Sequence, residues 1–198
     1  MNYLLSAAVV AISTLLLLVS PGLTGGGSQS LPGPTGLGGP ILNVILYFEH
    51  DTITDQILLP STKDELGRTC KVTKILCTLK EGGDIVGENP CFSDVLCVNT
   101  DGKTARVEIV GVINGKFAKS GEPIKMAGRM LLDIDLTVTP KRMQGYWVFQ
   151  EGVGTHYGAL YVEGISEMKD PAGGTNRRVV GSGTYSGWVR KNEDKPRK

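Results

Sequence analysis

Histidine, cysteine and net charge are all scarce in this chain of 198 residues. It contains two histidines and four cysteines, and its formal net charge at pH 7 is +1. Two histidines with no HxH pair argue against a histidine metal triad, and the absence of a CxxC pair argues against a zinc knuckle. A nearly neutral chain gives no electrostatic case for nucleic acid. We therefore expect no metal, no other cofactor and no nucleic-acid partner.

Sequence signatures of the common nucleotide-binding and hydrolytic enzymes are also missing. The chain has no Ser-His-Asp order, no phosphate loop and no dinucleotide fingerprint. The glycine-rich residues 181–183 are too few, and too closely flanked by strand-like sequence, for a phosphate cradle. Helical periodicity is almost absent, apart from a possible turn at residues 61–66.

The first forty residues predict targeting and a linker. Residues 4–19 are apolar except for two serines and a threonine, and sixteen residues suit the core of a signal peptide better than a membrane span. No Lys or Arg precedes this run, so an uncleaved, extracytoplasmic membrane anchor or an organelle signal remains an alternative. We expect a secreted protein with a signal peptide at 1–22, a Gly/Pro-rich linker at 23–40, a folded domain at 41–190 and a solvated charged tail at 191–198.

All four cysteines fall within one window of 28 residues: Cys70, Cys77, Cys91 and Cys97. An even number of cysteines after a signal peptide predicts two disulfides. Three pairings are possible. The nested one, Cys70 with Cys97 and Cys77 with Cys91, would staple a hairpin, but the spacing does not choose among them.

The folded region alternates with the period of two that a half-buried strand requires. In residues 129–138, Met130, Leu132 and Ile134 share one face with two further apolar residues, whereas Arg129 and Asp133 lie on the other. Glycine-containing turns are expected at 82–84, 99–102 and 114–115. About nine strands are predicted, at 41–51, 70–79, 95–98, 104–113, 129–138, 146–150, 159–163, 178–180 and 185–190, and residues 56–59 are a candidate for one further short strand.

Many short strands at regular spacing are typical of a sandwich or a barrel. We predict an all-β domain that closes into an antiparallel β-barrel of about eight strands, since closure removes exposed sheet edges. Such a barrel has room for packed side chains or one small ligand. A lipocalin-like barrel and an unrelated β-sandwich are the alternatives.

Two strands carry carboxylates that could face a lumen, where burial would raise their pKa and allow proton transfer. The predicted catalytic residues are Glu49, Asp51 and Asp133. Residues predicted to bind substrate are Tyr47, Arg129, Asp135, Tyr146, Tyr161 and Glu163. The alternative is that these faces are the solvated outside of the domain. His50 and His156 are interpreted as structural or surface residues in preference to acid–base catalysts.

The last third of the chain resembles the allene oxide cyclase and dirigent barrel superfamily. Tyr157, Gly158, Val162 and Gly164 match a cyclase strand that runs from aromatic-glycine to Val-x-Gly. A later glycine-rich turn is matched by Gly181, Ser182, Gly183, Tyr185 and Gly187, and residues 179–185 are similar to a dirigent turn. Residues 121–132 are similar to a further cyclase segment, and residues 47–51 to the run that opens dirigent barrels. The cysteine window has no counterpart in that superfamily.

The resemblance implies a barrel that folds a reactive, flexible substrate into one conformation before ring closure or coupling, without a cofactor. On this hypothesis the protein is a cofactor-independent cyclase or isomerase acting on a small hydrophobic molecule, and the resemblance leaves open a homo-oligomer. Whether it is an enzyme stays open. A second hypothesis is a non-catalytic secreted barrel that binds a small hydrophobic ligand. A third is an interaction or structural protein that uses the disulfide hairpin as a contact surface.

Overall fold

A computed structural model describes residues 31–33, 39–89, 91–169 and 177–193. It contains nine strands: β1 (Ile41–Lys63), β2 (Thr69–Gly83), β3 (Ile85–Asn89), β4 (Cys91–Val98), β5 (Thr104–Phe117), β6 (Pro123–Asp135), β7 (Lys141–Gly154), β8 (His156–Lys169) and β9 (Arg177–Lys191). No helix occurs in these ranges, and so none of them holds a helix that could cross a membrane. The all-β prediction is confirmed. The predicted signal peptide and most of the predicted linker and tail lie outside the described residues.

Every strand pairing is antiparallel. The sheet runs in the order β1-β9-β8-β7-β6-β5, after which β5 pairs with both β3 and β4, and each of these pairs with β2. β1 pairs with β9 on one side and with β2 on the other. Apart from β3 and β4, each of which pairs with β2 and β5 instead, successive strands meet as hairpins, as short connections between antiparallel neighbours require.

The strands present one buried face. Leu46 lies opposite Tyr185, which in turn lies opposite Val162, and all three side chains are buried. Residues one position along each strand point the other way, because side chains alternate in a strand. The core consists of Val44, Leu46, Phe48, Ile85, Ile113, Phe117, Ile124, Met126, Met130, Leu132, Met143, Trp147, Phe149, Leu160, Val162, Tyr185 and Val189.

The strands are longer than the sequence pattern predicts. Residues 56–59 continue β1, and residues 178–180 and 185–190 belong to one uninterrupted strand, β9. The predicted turn at 114–115 was wrong, since both residues lie inside β5. A Cβ on Gly115 would overlap the carbonyl oxygen of Val86 on β3, so this glycine allows close approach of a neighbouring strand. The predicted turn at 99–102 is confirmed, with Gly102 N donating to Asn99 O at 3.0 Å.

Asp64 organises the connection between β1 and β2. Its Oδ1 accepts hydrogen bonds from the backbone nitrogens of Leu66 (3.0 Å) and Arg68 (2.8 Å). Residues up to Lys63 are still in β1, so the possible helical turn at 61–66 is reduced to a tight turn after the strand. A short polar side chain that bonds its own following backbone favours such a turn.

Cys70 on β2 and Cys97 on β4 form a disulfide, and the two residues lie directly opposite each other in the register. One of the two expected disulfides is thereby confirmed. The side chains of Cys77 and Cys91 lie outside the described part of the molecule. A buried disulfide is typical of proteins that fold in an oxidising, extracellular environment.

Candidate functional site

A cleft of about 620 Å³ lies across three neighbouring strands, β8, β9 and β1. At the cleft, Ser166 of β8 lies opposite Gly181 of β9, which in turn lies opposite His50 of β1. Its walls combine apolar, hydroxyl, imidazole and carboxylate groups. They comprise Glu49, His50, Asp51, Pro140, Ile165, Ser166, Glu167, Val180, Gly181 and Ser182. Two of the three predicted catalytic residues, Glu49 and Asp51, therefore border the same cleft.

His50 links this cleft to the core. It follows Val44, Leu46 and Phe48 in the buried row of β1, and its ring is stacked against Phe48, with the centroids 6.3 Å apart and an interplanar angle of 27°. Burial lowers the pKa of His50, and the opposing effect of the Asp51 charge is smaller. The imidazole is therefore neutral at pH 7, so that it can accept a proton on one nitrogen and donate one from the other.

Gly181 gives His50 its position. A Cβ on Gly181 would overlap Nε2 of His50 as well as the carbonyl oxygen of Ile165. Only glycine leaves the space that the ring occupies, so a residue that the sequence assigns to a glycine-rich turn forms part of the cleft wall. Ser166, on the other side of Gly181, is a buried hydroxyl with 8% exposure.

Asp51 is held in a two-pronged ion pair with Arg178 of β9. Arg178 Nε donates to Oδ1 at 2.8 Å, and Nη2 donates to Oδ2. The hydrogen bond from Arg178 is the largest effect on Asp51 and holds the pKa of its carboxyl below the usual range. At neutral pH Asp51 is therefore an ionised group with a fixed orientation, which suits it to orient a cation or a hydrogen-bond donor and not to donate a proton.

The third predicted catalytic residue lies elsewhere. Asp133 of β6 is exposed, and its carboxylate accepts two hydrogen bonds from Arg106 of β5, at 2.8 and 3.1 Å. Its neighbours Met130 and Leu132 point into the core, so the alternation of β6 turns Asp133 to the opposite face. Asp135 accepts hydrogen bonds from the backbone nitrogen (2.8 Å) and the hydroxyl (2.6 Å) of Thr137, which hold its pKa below the ordinary value.

The remaining residues predicted to bind substrate also lie on the face that turns away from the core. Arg129 is paired with Glu108 at 2.7 Å. Tyr146 and Tyr161 are cross-strand partners on β7 and β8, with their rings edge to face at 5.6 Å. Tyr47 is 61% exposed and Glu163 is exposed. The structure thus brings Glu49 and Asp51 together but gathers none of the other seven predicted residues at the cleft.

Aromatic rings fill the core next to the cleft. Phe48 stacks on Tyr185 with centroids 4.4 Å apart, Tyr185 meets Trp147 edge to face at 5.6 Å, and Trp147 lies 4.7 Å from Phe149. Gly183 makes this packing possible, because a Cβ there would lie 2.8 Å from Cε1 of Phe48. The core beside the cleft is thus built from interlocking side chains.

Eight of the ten residues that border the cleft were not predicted as site residues, among them His50, Ser166 and Gly181. The period of two placed His50 on the same face as Phe48, but only the sheet topology identifies that face as the buried one. Nothing in the local pattern pointed to Ser166. If the face of β1 that carries Phe48 had been identified as the buried one, His50 would have been found, since it continues that apolar row.

His156 behaves as the sequence interpretation expected. It is 2% exposed, its Nδ1 lies 2.9 Å from the hydroxyl of Thr155, and Phe117 packs edge-on at 5.4 Å. Burial lowers its pKa. These contacts make His156 a core residue.

One group of possible metal ligands occurs among the described residues, formed by Asp64, Cys70 and Cys97. Its two sulfurs are bonded to each other, so neither is a thiolate that could bind a metal. No family model, no curated protein and no solved structure matches this chain. A function must therefore be inferred from its own residues.

Proposed function

We propose that this protein is a secreted β-barrel of the allene oxide cyclase and dirigent type, which binds a small hydrophobic molecule in the cleft beside His50. There it would steer a stereocontrolled cyclisation or coupling without a cofactor. The observation that carries the proposal is the cleft itself: about 620 Å³ of space bordered by Ile165, Val180 and Pro140 together with His50, Asp51 and Ser166. Small-molecule sites combine an apolar wall with a few placed polar groups in this way.

Closure of the nine strands into a barrel is part of the proposal. Three observations support it: β1 pairs with β9 over fourteen positions, β1 also pairs with β2, and β5 pairs with β6 as well as with β3 and β4. A sheet whose first strand has partners on both sides leaves no long unpaired edge there. One continuous apolar row from β1 through β9 to β8 supports a single enclosed core.

The cleft would act chiefly by confining its substrate. Holding reacting atoms in a near-attack geometry can supply on the order of 7–11 kcal/mol of the barrier in well-oriented systems. The neutral imidazole of His50 can accept or donate one proton at the cleft wall. The ionised carboxylate of Asp51, fixed by Arg178, can stabilise positive charge that develops on the substrate. Neither role needs a metal or an organic cofactor.

Secretion is supported by the Cys70–Cys97 disulfide, since such bonds persist in oxidising compartments. The apolar residues 4–19 agree with export by a signal peptide. If the N-terminal segment were an uncleaved anchor, the same domain would stay attached to the extracytoplasmic face of the membrane.

A second candidate is a binding barrel that holds its ligand without chemistry. The packing of Trp147, Tyr185 and Phe48 in the core favours this alternative, because a filled interior leaves only the cleft for a guest. The exposure of Glu49 and Asp133 also favours it, because neither carboxylate lies in the enclosed, water-excluding surroundings in which a positioned acid or base acts on a bound substrate.

The experiment that separates these candidates measures stereochemistry. The secreted protein is added to two reactions that give racemic products on their own, ring closure of an allene oxide and oxidative coupling of a small phenol, and the enantiomer ratio is read by chiral chromatography. We expect an excess of one enantiomer in at least one reaction, reduced at least tenfold in His50→Gln. Asp133→Asn, outside the cleft, is the matched control and should keep the excess.

Racemic products from both reactions, with the same compounds binding in the cleft by calorimetry, would favour the non-catalytic barrel. Racemic products without binding would refute both candidates for these substrates. An excess that survives in His50→Gln but disappears in Asp133→Asn would place the site elsewhere on the molecule.

A further inference from the structure

The two faces of β8 differ in burial along its length. From Val162 to Glu167 the residues on the core face are more buried than their neighbours, but the preceding residues 156–160 are all buried. Tyr157 (3% exposed) and Ala159 (1% exposed) therefore lie buried on the face that turns away from the core. A sheet face that looks away from the core is buried only where a second layer covers it.

Two groups contribute to this face: the side chain of Trp188, from the neighbouring strand, and the chain's own N-terminal segment, which hydrogen-bonds to it. Trp188 of β9 is the cross-strand partner of Ala159, and its ring meets Tyr157 edge to face at 5.9 Å and 90°. The indole Nε1 of Trp188 donates a hydrogen bond to the carbonyl oxygen of Pro32 at 2.9 Å. A second tie follows seven residues later, where Nε of Arg190 donates to the carbonyl oxygen of Gly39 at 2.6 Å.

The segment that these donors hold has the chemistry of a polyproline ligand. Its described residues are Leu31, Pro32 and Gly33, and the sequence continues with a second proline, Pro34. In general a proline fixes its own φ near about −65° and biases the preceding residue toward extended backbone. Such a chain has no internal hydrogen bonds, so its carbonyl oxygens are open to outside donors. Proteins that recognise it offer aromatic rings as a platform and an N–H group aimed at a carbonyl.

We propose that Tyr157, Trp188 and Arg190 form a recognition surface for proline-rich peptide, and that residues 31–33 occupy it from the same chain. The function differs from that of the cleft, which lies at Ser166 and Gly181, further along β8 and β9. A proline-rich segment of a partner protein would bind the same surface by displacing the chain's own segment. An intramolecular competitor acts at an effective concentration on the order of 1 mM. A partner segment therefore binds the surface only when its concentration and affinity are high enough to displace residues 31–33.

The test uses the full chain with residues Leu31 and Pro32 replaced, Leu31→Ser and Pro32→Gly, which removes the ligand chemistry and leaves the surface intact. The probe is a synthetic peptide with the sequence of residues 28–40, and binding is measured by calorimetry. We expect saturable binding to this variant and at least tenfold weaker binding to the unaltered chain. A peptide in which both prolines at 32 and 34 are alanine should bind at least tenfold more weakly.

Fluorescence supplies an independent readout. Trp147 is fully buried in the core, so a change in tryptophan emission on adding the peptide reports on Trp188. In the doubly substituted chain we expect the emission to lie further to the red than in the unaltered chain, and to shift back on peptide binding. Adding Trp188→Phe, which keeps an aromatic ring but removes the N–H donor, should weaken peptide binding at least tenfold, whereas Tyr146→Phe, on the same face but distant, should not.

Three results would overturn the proposal. One is equal peptide affinity for the unaltered and doubly substituted chains, since no cis competition would then exist. Another is the absence of binding to both. The third is unchanged binding after Trp188→Phe. If the doubly substituted chain fails to fold, the unaltered chain still decides the question, because peptide at about 10 mM should exceed the cis competition and occupy most of the sites, whereas the alanine peptide should need at least tenfold more.

Discussion

Removal of the Cys70–Cys97 disulfide should destabilise the domain by an amount that the structure allows us to calculate. The bond joins residues 27 apart in sequence and so closes a loop of about 28 residues, for which the chain-entropy relation gives about 3.6 kcal/mol at 25 °C. If Cys77 and Cys91 also pair inside this loop, the effective loop shortens to roughly 15 residues and the loss falls to about 3 kcal/mol.

The measurement is urea unfolding followed by circular dichroism, with alanine at Cys70 and Cys97. Alanine is chosen because both positions are buried, at 8% and 9% exposure, and a serine hydroxyl there would add its own cost. With an m-value of about 2 kcal/mol/M, the midpoint should fall by about 1.5–1.8 M. The melting temperature should fall by roughly 6–14 °C for a domain of this size.

The chemical control is a chain with alanine at Cys77 and Cys91. Reductant should lower its stability by about 3.6 kcal/mol, whereas a chain with alanine at all four cysteines should not respond to reductant at all. A loss below about 1 kcal/mol in the Cys70/Cys97 variant would refute the reasoning. It would mean that the conformational entropy of the unfolded chain does not increase when the bond is removed, or that the bond does not form in solution.

Three further outcomes are expected. Non-reducing peptide mapping should find a Cys77–Cys91 link and no free thiol, because the Cys70–Cys97 bond leaves only the nested pairing, and alkylation of either residue in the native chain would contradict this. Gly183→Ala should cost about 1–3 kcal/mol, because its Cβ would overlap the carbonyl oxygen of Glu163 and lie 2.8 Å from Phe48 Cε1; Gly82→Ala, with nothing within 4 Å, is the control and should cost under about 0.5 kcal/mol. Stability should fall as pH drops from 7 to 5, because burial lowers the pKa of both His50 and His156 and the unfolded chain then binds more protons; His156→Gln should remove only part of that slope, and an unchanged slope would show that His50 or other groups produce it.

The strands were predictable where neighbouring residues alternate cleanly. In β6 the apolar positions Met130 and Leu132 identified the buried face correctly, because strand periodicity depends only on local sequence. The ends of strands were less predictable. Residues 181–187 contain four polar or small residues between three glycines, which locally resemble a turn, yet pairing with both β1 and β8 keeps them extended. A glycine does not end a strand where the backbone or a side chain of a neighbouring strand packs closely against it.

The candidate site was likewise only partly predictable from the sequence. Glu49 and Asp51 were found from sequence because they alternate with Phe48 on a strand rich in β-propensity residues. The same alternation could not tell which of the two faces was buried, so His50 was interpreted as a structural or surface residue. Its position at the cleft depends on the register of β1, β9 and β8, which places Gly181 beside it and Ser166 next in the row, although both are more than a hundred residues away in sequence.

The sequence by itself determined that the domain is built of strands, that its cysteines suit an oxidising compartment, and that it lacks the signatures of metal and nucleotide enzymes, because these properties depend on composition and on the spacing of near neighbours. Only the tertiary structure decided which face of each strand is buried, which cysteines pair, and which side chains border the cleft. Those properties depend on register between strands far apart in the chain, and a shift of one residue would turn every side chain to the other face.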